Sequence, residues 1–159
     1  MIKIRLAQLS DSAEINKLND IFNGEGSSTI ETIEKSFEVN NNEIVCVAVQ
    51  SNNNANRLIG FCCGQIVNSI CYSFPYGDIT EFFVIEEYRQ QNIEKQLLEF
   101  LEIEFNKRGV NHLHHLIGIN NSTMQELLHS HGYNDSTESS YKSSTMIILE
   151  KDTVINIKI

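Results

Sequence analysis

Basic residues are scarce in this chain of 159 residues. It holds 12 lysines and arginines against 21 aspartates and glutamates, which gives a formal net charge of −9 at pH 7. Nucleic acids and anionic membranes both favour a basic surface, so neither is expected as a partner. An acidic surface suits a cationic small molecule, such as a polyamine or an aminosugar, or serves only to keep the protein soluble.

Long hydrophobic runs are also missing. A membrane-spanning helix needs about 20 consecutive apolar residues, and residues 1–6 lack the layout of a signal peptide. We therefore expect a soluble, cytoplasmic protein. Pro75 is the only proline, and no repeat or linker interrupts the chain, so a single domain over residues 1–159 is predicted.

The cysteines lack the spacing of a metal site or a disulfide scaffold. Cys46, Cys62, Cys63 and Cys71 include no C-x-x-C motif. The first three lie in apolar runs, where a free cysteine behaves as a small hydrophobic residue. We expect reduced, structural thiols.

Histidines cluster at His112, His114 and His115. On a strand, His112 and His114 share a face, which supplies two ligands and has no cysteine nearby in the sequence. The pattern favours a solvated strand end over a metal site, and no bound metal is predicted.

Apolar spacing predicts an alternation of strands and helices in the order β-α-α-β-β-β-α-β-α-β. The predicted strands are Ile2–Leu6, 44–49, 58–67, 78–85, 112–119 and 143–149. The predicted helices begin at a cap formed by Ser10 or Asp11, at residue 30, at residue 93 and at residue 122. Gly132 suits the end of the last helix.

The most informative stretch is residues 78–105, a strand, a polar turn and an amphipathic helix. The strand is rich in aromatic and β-branched residues, and the turn spans residues 89–94. Apolar residues then fall at positions 93, 97, 100, 101 and 105, which is helical spacing. A helix N-terminus that faces out of a sheet is a binding site for phosphate.

This arrangement, with Val84-x-x-x-Tyr88-Arg89 ahead of the turn, resembles the acetyl-CoA-binding segment of the GNAT N-acetyltransferase family. The resemblance implies an α+β fold with α/β/α layers, a mixed and mostly antiparallel central sheet, and about four helices. It implies acetyl-CoA as cosubstrate and a primary amine of a small cationic molecule, of polyamine or aminoglycoside type, as acceptor. It also allows a homodimer through a sheet edge, to which residues 153–159 could contribute.

The resemblance assigns two groups of residues to the cosubstrate. The exposed backbone of Phe82, Phe83 and Val84 would pair with pantetheine. The pyrophosphate would lie on the turn and the first helical residues, which are Arg89, Gln90, Gln91, Asn92, Ile93, Glu94 and Lys95.

Asn92 and Glu94 occupy the positions of two glycines in the family's turn. A non-glycine residue at positive φ costs roughly 1–2 kcal/mol, and less for asparagine. A carboxylate about 4 Å from a phosphate oxygen repels it by roughly 4 kcal/mol at an effective dielectric constant of 20. That energy is on the order of a thousandfold in affinity. Rotation of Glu94 toward water, or pairing with Arg89 or Lys95, would recover part of it, and weak binding of acetyl-CoA or none is expected.

For catalysis, the resemblance points to Glu81 on the central strand as the group that removes a proton from the amine. Asp78 is a second candidate nearer the start of the strand. From the residues alone, Glu81 is equally consistent with a solvent-facing position on a half-exposed strand.

Proton return in the family commonly uses a tyrosine in the pattern Asn-x-x-x-x-x-x-Tyr-x-x-x-Gly-Phe. Here the pattern has Asn121, then Leu128, then Gly132 and Tyr133. Leu128 has no proton to give, and positioned acid catalysis is worth about 10²- to 10⁴-fold. Two functions therefore remain open: an acetyltransferase, and a GNAT-fold binding or regulatory module that has lost its cosubstrate.

Overall fold

The computed structural model describes residues 1–39, 42–52, 55–71, 73–89, 91–136 and 146–153. The strands are β1 Ile2–Leu6, β2 Glu43–Asn52, β3 Ala55–Val67, β4 Tyr76–Val84, β5 His112–Gly118, β6 Asn134–Asp135 and β7 Met146–Asp152. The helices are α1 Ser12–Asn23, α2 Ile30–Val39, α3 Ile93–Lys107 and α4 Ser122–Ser130, with single 3₁₀ turns at Leu9–Asp11 and Glu86–Tyr88.

The predicted order of elements is confirmed, with the two-residue strand β6 as an addition. Strand β4 begins two residues earlier than predicted, at Tyr76. The last predicted strand, 143–149, is found as Met146–Asp152, and residues 143–145 lie outside the described residues, as does the tail 154–159. None of the described helices combines the length and the apolar character that crossing a membrane requires.

Contacts group the chain into two compact units. The first comprises Met1–Cys63 and Glu81–Leu101, and the second comprises Gly64–Thr80 and Glu102–Ile159. The strand order is β1-β2-β3-β4 in the first unit and β4-β5-β7-β6 in the second. Strands β4 and β5 are parallel, whereas the β1–β2, β5–β7 and β6–β7 ladders are antiparallel. Within the described residues, seven strands in a mixed, mostly antiparallel sheet and four helices confirm the predicted α+β fold.

The core of the first unit forms on one face of its strands. Successive strand residues point to opposite faces, so Val47 on β2, Phe61 on β3 and Phe83 on β4 share the face that meets Ile15 and Leu18 of α1. All five are buried. This face also carries the candidate catalytic position, residue 81, two residues before Phe83.

The interior of the second unit is built mainly from α3, α4, β5 and β7. Its fully buried large side chains include Phe105, Val110, Leu113, Leu128, Tyr133 and Leu149. A Cβ atom added to Gly77 would lie 2.7 Å from both Phe105 and Leu113, so glycine lets β4 lie closely against these side chains.

Candidate functional site

The predicted pantetheine strand is the C-terminal part of β4. The parallel ladder of β4 with β5 runs from Tyr76↔His112 to Ile79↔His115, and the later residues of β4, which include Phe82 and Val84, lie beyond its end. On the other edge β3 approaches closely, since a Cβ atom on Gly60 would lie 2.8 Å from the Phe83 carbonyl oxygen.

Two side chains hold the segment that follows β4 against strands of the first unit. The Tyr88 hydroxyl donates to Gln50 Oε1 at 2.7 Å. Arg89 Nε donates to the Val84 carbonyl oxygen at 3.0 Å, and its guanidinium lies 6.0 Å from the centre of the Phe83 ring.

Asn92 adopts the backbone conformation that a glycine would supply. Its φ is 60°, and it is the only non-glycine residue with positive φ among those that the structure describes. Its carbonyl oxygen accepts the amide of Gln96 at 3.1 Å and so begins helix α3. Asparagine tolerates this left-handed region better than most residues, so the turn keeps its shape at a small energetic cost.

Glu94 belongs to helix α3, so its backbone needs no glycine, and its side chain adds a negative charge at the turn. It lies half-buried in the first turn of α3, where a carboxylate stabilises the helix by about 0.3–1 kcal/mol through its interaction with the helix macrodipole. The predicted compensating partners are engaged elsewhere: Arg89 contacts β4, and Lys95 Nζ lies 3.8 Å from Glu99. The Glu94 carboxylate has no ion pair or hydrogen bond with any residue in the described ranges.

Two other predicted turn residues, Gln91 and Ile93, help to fix the start of helix α3. Ile93 is fully buried and fixes α3 to the core, and Gln91 Nε2 donates to the Glu87 carbonyl oxygen at 3.1 Å. Gln90 lies outside the described residues. The amides at the start of α3, which include those of Ile93, Glu94 and Lys95, precede the first intrahelical donor, so their N–H groups are available to an anion.

Glu81 lines a cavity of about 170 Å³ in the first unit. Elements α1, α2, β2, β3 and β4 all contribute to its walls. The lining residues are Ile15, Asn19, Ser28, Ile33, Phe37, Glu43, Val45, Phe61, Cys63 and Glu81. A water molecule needs only about 10–15 Å³ on this measure, so the cavity has room for a small organic group.

Three polar groups converge in this cavity. A carboxylate oxygen of Glu43, one of Glu81 and the Cys63 sulfur all lie within 4.8 Å of one another. Burial raises the pKa of the Cys63 thiol well above its usual range, and the charges of Glu81 and Glu43 raise it further. Cys63 is therefore a neutral thiol, and the group presents two acidic side chains better suited to an ammonium ion than to a metal that needs a thiolate.

Glu43 is the site residue that sequence reasoning missed. It is the first residue of the apolar strand β2, and alternation places it on the same face as Val45. The sequence could predict that Glu43 and Val45 share a face. It could not predict that Glu43 lies beside Glu81, because that depends on how the strands pair.

The remaining predicted site residues belong to the second unit. Asp78 is half-buried on β4 and lies opposite His114 in the β4–β5 ladder. Asn121 caps helix α4, since its side-chain oxygen accepts the Met124 amide at 3.2 Å. Leu128 is only 1% exposed and is a core residue, as its apolar side chain requires.

Solved structures of acetyltransferases share this fold. PaiA N-acetyltransferase from Thermoplasma acidophilum, in complex with coenzyme A, superimposes with a TM-score of 0.71 at 17% identity over 96% of this chain and 99% of that one. A GNAT-family acetyltransferase from Streptococcus pneumoniae gives 0.73 at 18% identity, over 96% and 99%. The Escherichia coli ribosomal-protein-S18-alanine N-acetyltransferase gives 0.69 at 18% identity, over 100% and 99%.

Structural similarity at such low identity shows only the fold, so membership of a family has to come from sequence comparison. No curated protein matches the sequence. The family model described as "Acetyltransferase (GNAT) family" matches residues 13–133, which include the whole strand, turn and helix around Asn92. This match extends over most of the chain and agrees with the fold, and the protein therefore belongs to the GNAT family of acetyltransferases.

Proposed function

We propose that this protein transfers an acetyl group from acetyl-CoA to a primary amine of a small cationic substrate. The observation that carries the proposal is the cavity with Glu43 and Glu81 side by side. Two carboxylates attract an ammonium group by charge and accept its hydrogen bonds.

The walls of the cavity favour an acceptor with an aliphatic stem. Apart from the two acids, its lining is dominated by apolar side chains, which include Ile33, Phe37 and Phe61. Methylene groups gain free energy when they leave water for such a surface. We therefore favour a polyamine over a hydroxyl-rich aminoglycoside.

Glu81 would act as the base of the reaction. The amine binds as an ammonium ion and loses a proton to the Glu81 carboxylate, directly or through one water molecule. The neutral nitrogen attacks the thioester carbonyl carbon, a C–N bond forms, the C–S bond breaks, and the nitrogen releases its second proton to solvent. Leu128 offers no proton, so the departing thiolate takes one from solvent. Because Cys63 is held as a thiol, we propose direct transfer without an acyl-cysteine step.

The cosubstrate would lie along the end of β4 with its pyrophosphate at the start of α3. Asn92 supports this placement because it holds the turn in the conformation that the family's glycine supplies. Glu94 opposes it, since the carboxylate adds negative charge where phosphate would bind.

Glu94 favours a second candidate function, a GNAT-fold binding or regulatory module without its cosubstrate. The two cations nearest in sequence contact Val84 and Glu99 instead, so they do not neutralise the charge. The two candidates differ in one measurable property, the affinity for acetyl-CoA.

Calorimetric titration with acetyl-CoA separates them. We expect the unaltered protein to bind, and a Glu94→Gln variant to bind about fivefold to a thousandfold more tightly, the range for roughly 1 kcal/mol in water to 4 kcal/mol at a dielectric constant of 20. Glu126→Gln removes the same charge from an exposed position on α4 and is the matched control.

Acetyl transfer is then measured with a diamine or polyamine as acceptor, by detecting the free thiol of the CoA that is released. Release of CoA that depends on the amine supports the proposal. An unaltered protein that fails to bind while Glu94→Gln binds would establish the second candidate. Failure of both to bind would show that the turn is not the cosubstrate site.

A further inference from the structure

We propose that His112, His114 and Glu150 form a binding site for a divalent metal ion of the zinc class. One donor atom from each of the three lies within 4.8 Å of the others. All three residues belong to the second unit, so the site is independent of the cavity around Glu81 and of the acetyl-transfer proposal.

Strand pairing brings the donors together. In the antiparallel ladder of β5 and β7, His112 lies opposite Asp152 and His114 lies opposite Glu150. Residues two apart on a strand share a face, so the four side chains form a two-by-two array. His115 points the other way, where it is buried and its Nδ1 bonds the Ile79 carbonyl oxygen.

The distances leave room for an ion after a small adjustment. The two Nε2 atoms of His112 and His114 are 2.7 Å apart, and His114 Nε2 is 3.9 Å from a carboxylate oxygen of Glu150. Tetrahedral zinc with bonds of about 2.0–2.2 Å holds its ligands about 3.3–3.5 Å apart. The first distance must open by about 0.6–0.8 Å and the second must close by about 0.4–0.6 Å, which small side-chain rotations can supply.

Asp152 orients the first histidine. His112 Nδ1–H donates to an Asp152 carboxylate oxygen at 2.6 Å, which fixes the tautomer and leaves the Nε2 lone pair facing His114. Carboxylate–histidine pairs of this kind accompany zinc-binding histidines and raise their basicity. If these histidines only faced solvent at the end of a strand, nothing would require the Asp152 carboxylate in addition to that of Glu150.

The surroundings permit entry of an ion from solvent. The side chains of His112, His114 and Glu150 are 27%, 25% and 24% exposed. The ring of Tyr76 lies 4.8 Å from that of His114, and Phe74 lies 6.0 Å from His112, so aromatic groups border the histidines. With three protein ligands, the fourth position is left to water.

The test uses the full chain without an affinity tag and stripped of metal by a chelator. We expect Zn²⁺ titrated into the unaltered protein to bind with a micromolar or lower dissociation constant and to raise the melting temperature. Co²⁺ in the same site should give the visible absorption bands of tetrahedral coordination. His114→Ala should weaken Zn²⁺ binding at least a hundredfold, and Asp152→Asn about 10- to 100-fold.

Two controls keep the test specific. His129→Ala removes an exposed histidine of the same unit that pairs with Asp135 at 3.2 Å, and Cys63→Ser alters the other group of potential metal donors. Both should bind Zn²⁺ as the unaltered protein does. Melting curves in chelator show whether each variant folds, and Glu150→Gln replaces His114→Ala if that variant does not. The proposal is overturned if Zn²⁺ at 100-fold molar excess does not bind, or if the control variants lose as much affinity as the site variants.

Discussion

At positions 92 and 94, two side chains stand where the family has glycine, for different physical reasons. Asn92 replaces a glycine needed for its backbone, and its φ of 60° shows that asparagine fulfils the same need. Glu94 is helical, so its backbone requires no glycine. A glycine at this position leaves room for a phosphate and adds no negative charge beside it. We expect the first change to be nearly neutral, and we propose that the second sets the affinity for acetyl-CoA.

Glu81 gives a prediction about rate. Glu81→Gln should lower kcat for the amine by about 10²- to 10⁴-fold, because the amide cannot accept the proton of an ammonium group. The affinity for acetyl-CoA should stay unchanged, since the cosubstrate is proposed to contact the backbone of β4. Initial rates and a calorimetric titration on the same preparation measure the two quantities.

Glu43→Gln is the matched variant for Glu81. It removes an equal charge from the same cavity, so we expect KM for the amine to rise while kcat changes much less. If Glu43→Gln instead lost kcat and Glu81→Gln only raised KM, the two roles would be exchanged. Equal changes in both variants would mean that neither residue acts as a dedicated base.

At the scale of elements, the junction of β1 and α1 separates what sequence could predict from what it could not. The helix itself followed from the spacing of Ile15 and Leu18, because periodicity is a local property. Asp11 is the residue immediately before the first helical residue, Ser12, as predicted, but its side chain makes no cap hydrogen bond with α1. The Asp11 carboxylate instead accepts two hydrogen bonds from Arg5, at 2.6 and 2.8 Å. A salt bridge to β1 depends on how the chain turns, which periodicity does not record.

The same limit explains the two candidate sites. The strand, turn and helix around Asn92 were readable because their residues are contiguous. Glu43 could not be placed beside Glu81, nor Glu150 beside His114, because each pair is brought together only by the register of neighbouring strands. Local motifs were predictable, and contacts between distant segments were not.

The Arg5–Asp11 pair gives a prediction about stability and pH. The Arg5 guanidinium lowers the pKa of Asp11, helped by the hydrogen bond from the Gln8 amide. A lowered carboxyl pKa contributes stability that is fully present above the unfolded value near 3.9 and is lost as pH falls through the folded value. Asp11→Asn should therefore cost about 1.5–3 kcal/mol of unfolding free energy at pH 7, the usual value of hydrogen bonds to a charged group.

Urea unfolding at pH 7, 5 and 3 measures this effect. The difference between the unaltered protein and Asp11→Asn should be the same at pH 7 and 5 and should shrink by pH 3. Glu14→Gln is the control, because Glu14 pairs with Lys17 at 2.5 Å on the exposed side of the same helix. Exposed pairs are worth about 0–1 kcal/mol, so a Glu14→Gln loss as large as that of Asp11→Asn would refute the argument.

At the scale of the whole molecule, the net charge of −9 should act on the two proposed substrates in opposite directions. It attracts a cationic amine and repels acetyl-CoA, whose phosphates are anionic. Screening weakens both effects, because the Debye length falls from about 30 Å at 0.01 M salt to about 8 Å at 0.15 M. Raising salt between these values should therefore raise KM for the amine and lower the dissociation constant for acetyl-CoA, each a few-fold.

A series of amines makes this prediction sharper. The increase of KM with salt should be steeper for a trication than for a monocation of similar length, because the attraction scales with the charge of the ligand. The acetyl-CoA response should be smaller in Glu94→Gln, which removes the charge proposed to lie nearest the phosphates. If both ligands bound more weakly as salt rose, the field of the protein would not be acidic at the cosubstrate site. The turn of α3 would then have to supply enough positive potential from its amides and Arg89 to outweigh the rest of the chain.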